Sequence, residues 1–358
     1  MTLKVQKNLF ADEFVARFPS TRYMGSKNKI ADWIWANIKH LDFHTCLDAF
    51  GGTGTIAYYL KHKNKEVVYN DVLNFNYHFG TALVENNVMK LSDADIDYIL
   101  TSHPENEYPN IVETNFSDIY YTHDENIWID RTITNIRNIN DRYKKSIAFF
   151  ALAQACIVKR PYNLFHRKNL YIRLADVKRS FGNKASWDKP FEEWFRIFAM
   201  EANDAVFGSD CSCRAICSDA LEIEGAFDLV YVDTPYISKK GVPVDYADFY
   251  HFLEGLCFYD KWEGNIDSSS KHKRLKKDIT QNPWTDKKQI YLAFDRLFEK
   301  YQDSIIVVSY RSDGIPSIEE LQKMLEKYKK KVVVNCYGKY KYVLSTNKKS
   351  QEILLVGV

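Results

Sequence analysis

Residues 227–236 read Phe-Asp-Leu-Val-Tyr-Val-Asp-Thr-Pro-Tyr. An apolar run of this kind is a buried strand, and it must stop at Pro235, which cannot donate a ladder hydrogen bond. One carboxylate (Asp233), the backbone carbonyls of Thr234 and Pro235, and one ring (Tyr236) are thereby gathered at the carboxyl end of a strand. In an open α/β sheet that edge is where ligands bind. The cluster suits capture of a planar base bearing an exocyclic amino group. Asp233 and a neighbouring carbonyl accept its two N–H hydrogens, and Tyr236 stacks on its face. Taken alone, the tetrapeptide is equally a strand end, a proline turn and a core tyrosine.

A second constellation is Asp48-Ala49-Phe50-Gly51-Gly52-Thr53-Gly54. Glycines at a strand-to-helix turn let backbone N–H groups approach a ligand closely. No glycine lies three residues beyond Gly54, so the loop departs from the pyrophosphate-binding pattern. Asp48 would repel a pyrophosphate and attract an ammonium group. S-adenosylmethionine carries that ammonium group and no phosphate. Asp71, at the end of the next strand, is placed to accept from ribose hydroxyls. Asp219 follows a later strand, where it suits the amino group of an adenine ring or, equally, a helix N-cap.

These residues need a frame that brings strand ends together. Ser26 to Ile38 reads as a helix capped by Ser26. Residues 45–71 then form a strand, a glycine loop, a helix, a strand and an acid, the opening of a doubly wound α/β sheet. From about 73 to 210 the periodicity is helical, as in Ile147 to Val158 and Phe191 to Ala202. Strands resume at Arg214 to Cys217 and Phe227 to Val232. Helix Lys288 to Tyr301 leads to strand Ser304 to Tyr310, and helix Ser317 to Tyr328 to strand Lys331 to Cys336. Lys341 to Leu344 and Glu352 to Val358 read as final strands, hairpin-paired through Asn347. The fold class is α/β, with a catalytic sheet from 1–72 and 211–358 and a helical insertion at 73–210.

Composition narrows the class. Hydrophobic residues make up 46% and charged residues 27% of the 358-residue chain, which suits a soluble globular protein rather than a disordered one. No apolar run approaches a membrane span, and the N-terminus lacks the apolar core of a signal peptide. Seven cysteines, mostly placed singly, fit reduced thiols in the cytoplasm. Cys211-x-Cys213-x-x-x-Cys217 lacks zinc spacing, so no metal is expected. The net charge is only +2, but basic residues cluster. One run is Lys271 to Lys277. Another interleaves Lys159, Arg160, Arg167 and Lys168 with Tyr162, Phe165 and His166, as a surface that tracks phosphates and stacks bases would.

Taken in order, Arg22-Tyr23-Met24-Gly25-Ser26-Lys27, Asp48 to Gly54 and Asp233-Thr234-Pro235-Tyr236 resemble the Dam-like (D12 class) adenine-specific DNA methyltransferases. Asn163 to Asn169, Ser309 to Gly314 and Ser345 to Leu354 extend the match. Thr234 departs from the family pattern, where proline is commoner. The resemblance implies a Rossmann-like sheet that binds S-adenosylmethionine and acts on a flipped-out adenine in double-stranded DNA. Tyr23 and Lys27 would border the cofactor and the base. Asp48, Phe50, Gly51, Gly52 and Gly54 would hold the methionine end, with Asp71 on the ribose and Asp219 on the cofactor adenine. Asp233 to Tyr236 would hold the target adenine, pulling its N–H hydrogens so that the nitrogen attacks the methyl group in line. The insertion would read DNA through Lys159, Arg160, Asn163, Arg167, Lys168 and Asn169. A cognate restriction endonuclease as partner follows from family habit. An N4-cytosine or RNA adenine methyltransferase stays as an alternative, as does a non-catalytic DNA-binding protein of the same fold. A nicotinamide dehydrogenase is disfavoured by the glycine pattern.

Overall fold

A computed structural model describes residues 18–176, 184–276, 282–339 and 350–358. The strands are β1 (Thr45–Asp48), β2 (Glu66–Asn70), β3 (Arg214–Ile216), β4 (Leu229–Val232), β5 (Ile237–Ser238), β6 (Ile305–Arg311), β7 (Gly314–Ile315), β8 (Val332–Lys339) and β9 (Gln351–Gly357). Among the described residues, seven of them form one sheet in the order β3-β2-β1-β4-β6-β9-β8. The pairs from β3 through β6 are parallel, and β9 runs antiparallel to both of its neighbours. The chain steps outward from β1 to β2 and β3, then returns to the other side of β1 with β4. The switch point therefore lies between β1 and β4, and it opens a crevice at their carboxyl ends. Asp48 ends β1, Asp71 and Asp219 follow β2 and β3, and Asp233 follows β4.

At the opposite edge one carboxylate fixes the register. Asp228 accepts from the backbone N–H groups of His44 and Thr45 at 2.8 Å each, and its own N–H donates to Thr45 Oγ1. These hydrogen bonds hold its carboxyl below the usual carboxylate range.

Alternation along each strand sorts side chains onto two faces. Cys46, Tyr69, Leu229, Tyr231, Val307 and Leu354 join one core; Leu47, Val68, Val230, Val232, Val308 and Leu355 join the other. Helices Ile290–Lys300 and Ile318–Leu325 cover the second face. The first is covered by helices Ala31–Ile38, Thr55–His62, Arg142–Val158 and Phe191–Ala205. Residues 146–158 are buried all round, as an interior helix must be.

The 73–210 stretch carries helices and no strand among its described residues. Its helices share one apolar core with the sheet face. Helices His251–Cys257 and Tyr259–Trp262 pack into the same body, with the Phe252 and Trp262 rings 5.1 and 4.9 Å from that of Phe116. Helical packing thus reaches past the 210 expected from sequence. The hairpin differs too. β9 pairs with β8, extending the strand expected at Lys331 to Cys336, whereas Lys341 to Leu344 and Asn347 lie outside the described residues. The expected Ser26 cap is also replaced. A 3₁₀ turn, Asn28–Ile30, opens the first helix without a side-chain cap, and the Ser26 hydroxyl lies 3.3 Å from that of Thr55.

The glycine loop is built around the Tyr69 ring of β2. A Cβ on Gly51 would sit 2.0 Å from that ring, and one on Gly80 would sit 2.2 Å from it. The Tyr69 hydroxyl donates to the carbonyls of Gly52 at 2.7 Å and Asn76 at 3.0 Å. Gly51→Ala should therefore overpack this contact and destabilise the fold by roughly 1–3 kcal/mol. Urea denaturation checks this, and adding Tyr69→Leu should recover part of the loss.

Candidate active site

The strand ends enclose a cavity of about 300 Å³. Asp48, Asp71, Asp219 and Asp233 all line it, together with Tyr23, Lys27, Phe50, Gly51 and Gly52. Asn70 joins three strand ends: its Nδ2 donates to the carbonyls of Ala49 and Ser218, and its Oδ1 accepts from the N–H of Ser218.

At one end lies the glycine loop. Gly52 and Gly54 have φ of 52° and 80°, the left-handed region that only glycine enters freely. The Gly52 N–H donates to Asp71 Oδ2 at 2.9 Å, and the Leu73 N–H donates to Oδ1 at 2.9 Å. Burial raises the Asp71 pKa against those hydrogen bonds. Asp48 is 1% exposed, and its Oδ2 accepts from the N–H of Ala57. Its Oδ1 is buried with no hydrogen-bond partner among the described residues. Burial, and then the nearby Asp233 charge, push its pKa up to about 8. An unsatisfied acceptor in a cavity wall is the partner an ammonium group needs. These residues therefore fit S-adenosylmethionine. Gly54 sits at the start of helix Thr55–His62, outside the cavity wall. Asp219 is exposed and accepts from the N–H of Leu221.

At the other end Asp233 meets Lys27. The ammonium lies 2.9 Å from Asp233 Oδ1 and 3.4 Å from Glu352 Oε1, and it donates to the Tyr236 hydroxyl at 2.6 Å. Tyr236 in turn donates to Asp233 Oδ1 at 3.1 Å. Burial alone would lower the Lys27 pKa, but the two carboxylates outweigh it and raise the pKa. Asp233 is raised to about 6, chiefly by burial and partly by Glu352, against the pull of Lys27.

Tyr236 departs from its expected place. It is 5% exposed and lies outside the cavity wall, edge-on to Tyr310 and beneath the Arg311 guanidinium. The rings on the wall near Asp233 are Tyr23, Tyr231 and Tyr246. Tyr23 lies near-parallel to both Tyr246 and Tyr250, with centroids 5.6 and 4.7 Å away. Pro235 lines the cavity, whereas Thr234 is 2% exposed, its hydroxyl unpartnered among the described residues.

Sequence reasoning missed Tyr246, Trp284 and Glu352. Trp284, in the 3₁₀ turn Pro283–Thr285, meets Phe50 edge to face at 4.9 Å and closes the glycine end. Nothing in its local pattern marks it. Glu352 could have been found as a charge at an inward position of an apolar strand.

The basic–aromatic segment separates into two groups. Lys159, Arg160 and Asn169 are 2%, 1% and 5% exposed. Lys159 pairs with Glu125 at 2.9 Å and donates to the carbonyls of Trp187 and Lys189. Arg160 donates to the carbonyls of Tyr120, Leu164 and Arg167 and to Asn169 Oδ1, with its guanidinium 4.2 Å from the Tyr120 ring centre. These three residues, expected at DNA, instead brace the segment from inside. Asn163 is half-buried, and Arg167 and Lys168 are exposed. Of the Lys271 run, Arg274 pairs with Asp267 and Lys277 lies outside the described residues.

A family model described as "D12 class N6 adenine-specific DNA methyltransferase" matches residues 23–324. The chain belongs to that family. It is an S-adenosylmethionine-dependent N6-adenine DNA methyltransferase. The methyltransferase is 29% identical over 326 residues to the type II methyltransferase M2.HphI of Haemophilus parahaemolyticus, covering 89% of this chain and 90% of that protein. It is 22% identical over 323 residues to the type II methyltransferase M.NlaIII of Neisseria lactamica, covering 86% of this chain and 88% of that protein. Against the modification methylase StsI of Streptococcus sanguinis the identity is 26% over 359 residues, 93% of this chain but 51% of that protein. The methyltransferase thus spans about half the length of that relative.

The Tyr236 hydroxyl both receives from Lys27 and donates to Asp233, so Tyr236→Phe should not be silent. Losing both hydrogen bonds to charged groups, at about 1.5 kcal/mol or more each, should slow methyl transfer at least about tenfold. Single-turnover rates with saturating DNA check this; a wild-type rate would leave the ring as the only part of Tyr236 that matters.

Proposed function

We propose that this methyltransferase is the modification enzyme of a restriction–modification pair, acting on a flipped-out adenine at a specific duplex site. One observation supports the site assignment above others. Asp233 lines the same cavity as the unpartnered Asp48 Oδ1, so a base amine and an ammonium-bearing methyl donor have acceptors in one enclosure. S-adenosylmethionine supplies a methyl group made electrophilic by its sulfonium. The residues do the rest. The N6 lone pair of adenine is delocalised into the ring and is a poor nucleophile. Asp233 and the Pro235 or Thr234 carbonyl accept the two N6 hydrogens and draw them from the ring plane, which localises the lone pair. The same acceptors would stabilise positive charge as it develops on nitrogen, and the proton would leave afterwards. Asp48 would hold the ammonium group, with Asp71 on the ribose. Phe50 and Trp284 line the same cavity as Asp219, which would take the cofactor's adenine.

The restriction role draws on the relatives named as type II methyltransferases and modification methylases; a partner endonuclease would read the same site. A cytoplasmic setting fits a DNA substrate and seven cysteines, all unpaired. Among the described residues no helix is long and apolar enough to cross a membrane.

The test is transfer of labelled methyl to unmethylated duplex. Wild type should label N6 of adenine at one sequence. Asp233→Ala should lose at least a hundredfold in rate, about 2.7 kcal/mol of barrier, while binding cofactor nearly as well. Labelling of cytosine N4, or a fully active variant, would reject the assignment.

DNA reading is assigned to the surface around Asn163, Arg167 and Lys168, next to the exposed rings of Tyr162 and Tyr171. A guanidinium can contact guanine at two points, whereas a lysine on phosphate positions without specifying. Arg167→Ala should reduce discrimination between cognate and near-cognate sites by about 1–3 kcal/mol. Lys168→Ala should weaken all sites alike and flatten the salt dependence by about one charge. Methylation of every single-base variant site separates the two. Uniform loss with Arg167→Ala would remove that residue from readout.

A further inference from the structure

The strand alternation leaves one position unexplained by packing. Glu352 on β9 lies on the same face as Leu354 and Val356, where every second residue enters the apolar core, and it is 0% exposed. A carboxylate there is expensive unless it is paired and hydrogen-bonded. Its Oε1 accepts from Ser309 Oγ at 2.6 Å and lies 3.4 Å from the Lys27 ammonium. Lys27 is itself 4% exposed. Both described donors to the Asp233 carboxylate, Lys27 and Tyr236, meet it at Oδ1. Oδ2 carries no hydrogen bond among the described residues, and Asp233 lines the cavity.

We propose that Glu352 is a positioning residue for methyl transfer: it pins the Lys27 ammonium against Asp233 Oδ1 and so leaves Oδ2 as the atom presented to the target amine. The inference rests on Asp233 being the amine's acceptor. Without Glu352, one buried cation would face one buried anion. The two would close on each other, and Lys27 would be free to bridge both carboxylate oxygens. With Glu352, the ammonium is shared between two carboxylates and is held to one side of Asp233. Ser309 fixes the far end of the arrangement. The excess negative charge that remains lowers the barrier to placing positive charge on the amine.

The electrostatic part has its own signature. Asp233 is faced by Lys27, Glu352, Tyr236, Tyr231, Tyr246 and Asp48. Burial raises it most, Lys27 lowers it, and Glu352 raises it. Removing the Glu352 charge therefore moves the acid limb of the methylation rate to lower pH. A residue that only filled space would not move that limb.

The experiment compares wild type, Glu352→Gln, Glu352→Asp and Asp233→Ala as full chains. It measures S-adenosylmethionine affinity by calorimetry and single-turnover methylation across the acid limb. Glu352→Gln should bind cofactor within about twofold of wild type and methylate at least tenfold more slowly, with its acid limb displaced downward. Glu352→Asp keeps the charge and should keep the limb in place. A wild-type rate and limb in Glu352→Gln, with Asp233→Ala inactive, overturns the role of Glu352 alone. An active Asp233→Ala overturns the site reading and this inference with it. Equal loss of cofactor binding in both Glu352 variants makes the residue a fold element and also overturns the proposal. Thermal melting of Lys27→Met and of Lys27→Met with Glu352→Gln gives an independent arm. Losing Lys27 leaves two carboxylates facing each other, so the double variant should melt higher than the single one. A double variant no more stable than Lys27→Met counts against charge pairing and overturns the proposal even if Glu352→Gln alone does not fold.

Discussion

A buried ammonium shared by two carboxylates holds the site together. Lys27 comes from the segment before the first helix, Asp233 from the end of β4, and Glu352 from β9. Three distant parts of the chain must converge within hydrogen-bonding distance, and the sheet order brings this about. β4 lies beside β1, β6 lies next, and β9 is inserted antiparallel against β6. Only that order sets Glu352 near the β4 end. Breaking such a group by removing one charge is far worse than never having built it, because the others stay buried without a partner. The arrangement is therefore expensive to alter piecemeal.

The same arithmetic of charge explains what the cavity accepts. Its walls carry Asp48, Asp71, Asp219 and Asp233 against one cation among the described residues, Lys27. Burial raises the pKa of Asp48, Asp71 and Asp233, and neighbouring carboxylates add to the rise at Asp48 and Asp233. Such a site favours a positively charged ligand and repels a pyrophosphate. This is the physical content of the missing third glycine. The loop was never shaped to cradle phosphates, and its glycines serve different ends. Gly51 makes room for the Tyr69 ring, whereas Gly52 turns its N–H onto Asp71.

Much of this was legible in the sequence, and the reason is geometric. Strand periodicity places an acid at each strand end, and the doubly wound topology collects those ends in one crevice. Asp48, Asp71, Asp219 and Asp233 could thus be grouped without any structure. What failed was inference from local composition. Lys159, Arg160 and Asn169 sit among aromatics and resemble a nucleic-acid surface. Lys159 pairs with Glu125 and Arg160 with the Tyr120 carbonyl, in each case more than thirty residues earlier, and no local pattern reveals those pairings. Tyr236 was read as a ring because stacking needs no partner in sequence; its hydroxyl found one in Lys27, over two hundred residues away. The Ser309-Tyr-Arg-Ser-Asp-Gly314 motif has a structural reason. Arg311 grips Asp313 with two 2.9 Å hydrogen bonds, and a Cβ on Gly314 would meet the Tyr310 ring at 2.5 Å.

The reading loop and the catalytic carboxylate proposed above also share a support. The Phe165 N–H donates to the carbonyl of Phe249 at 2.8 Å, which places the loop directly on the segment carrying Tyr250. The Tyr250 hydroxyl accepts from the N–H of Met24 at 2.9 Å, and its ring stacks on Tyr23. Three residues beyond Met24 stands Lys27. Contacts therefore run from the loop, through two stacked tyrosines, to the segment whose ammonium meets Asp233. A displaced loop would carry Tyr250, and hence the Lys27 segment, with it. Misplacement of about 1 Å is enough to lower a rate a hundredfold when reacting atoms must be aligned. Discrimination between DNA sites then need not come from binding alone. A near-cognate sequence that seats the loop imperfectly would also present its adenine to a carboxylate held slightly out of line.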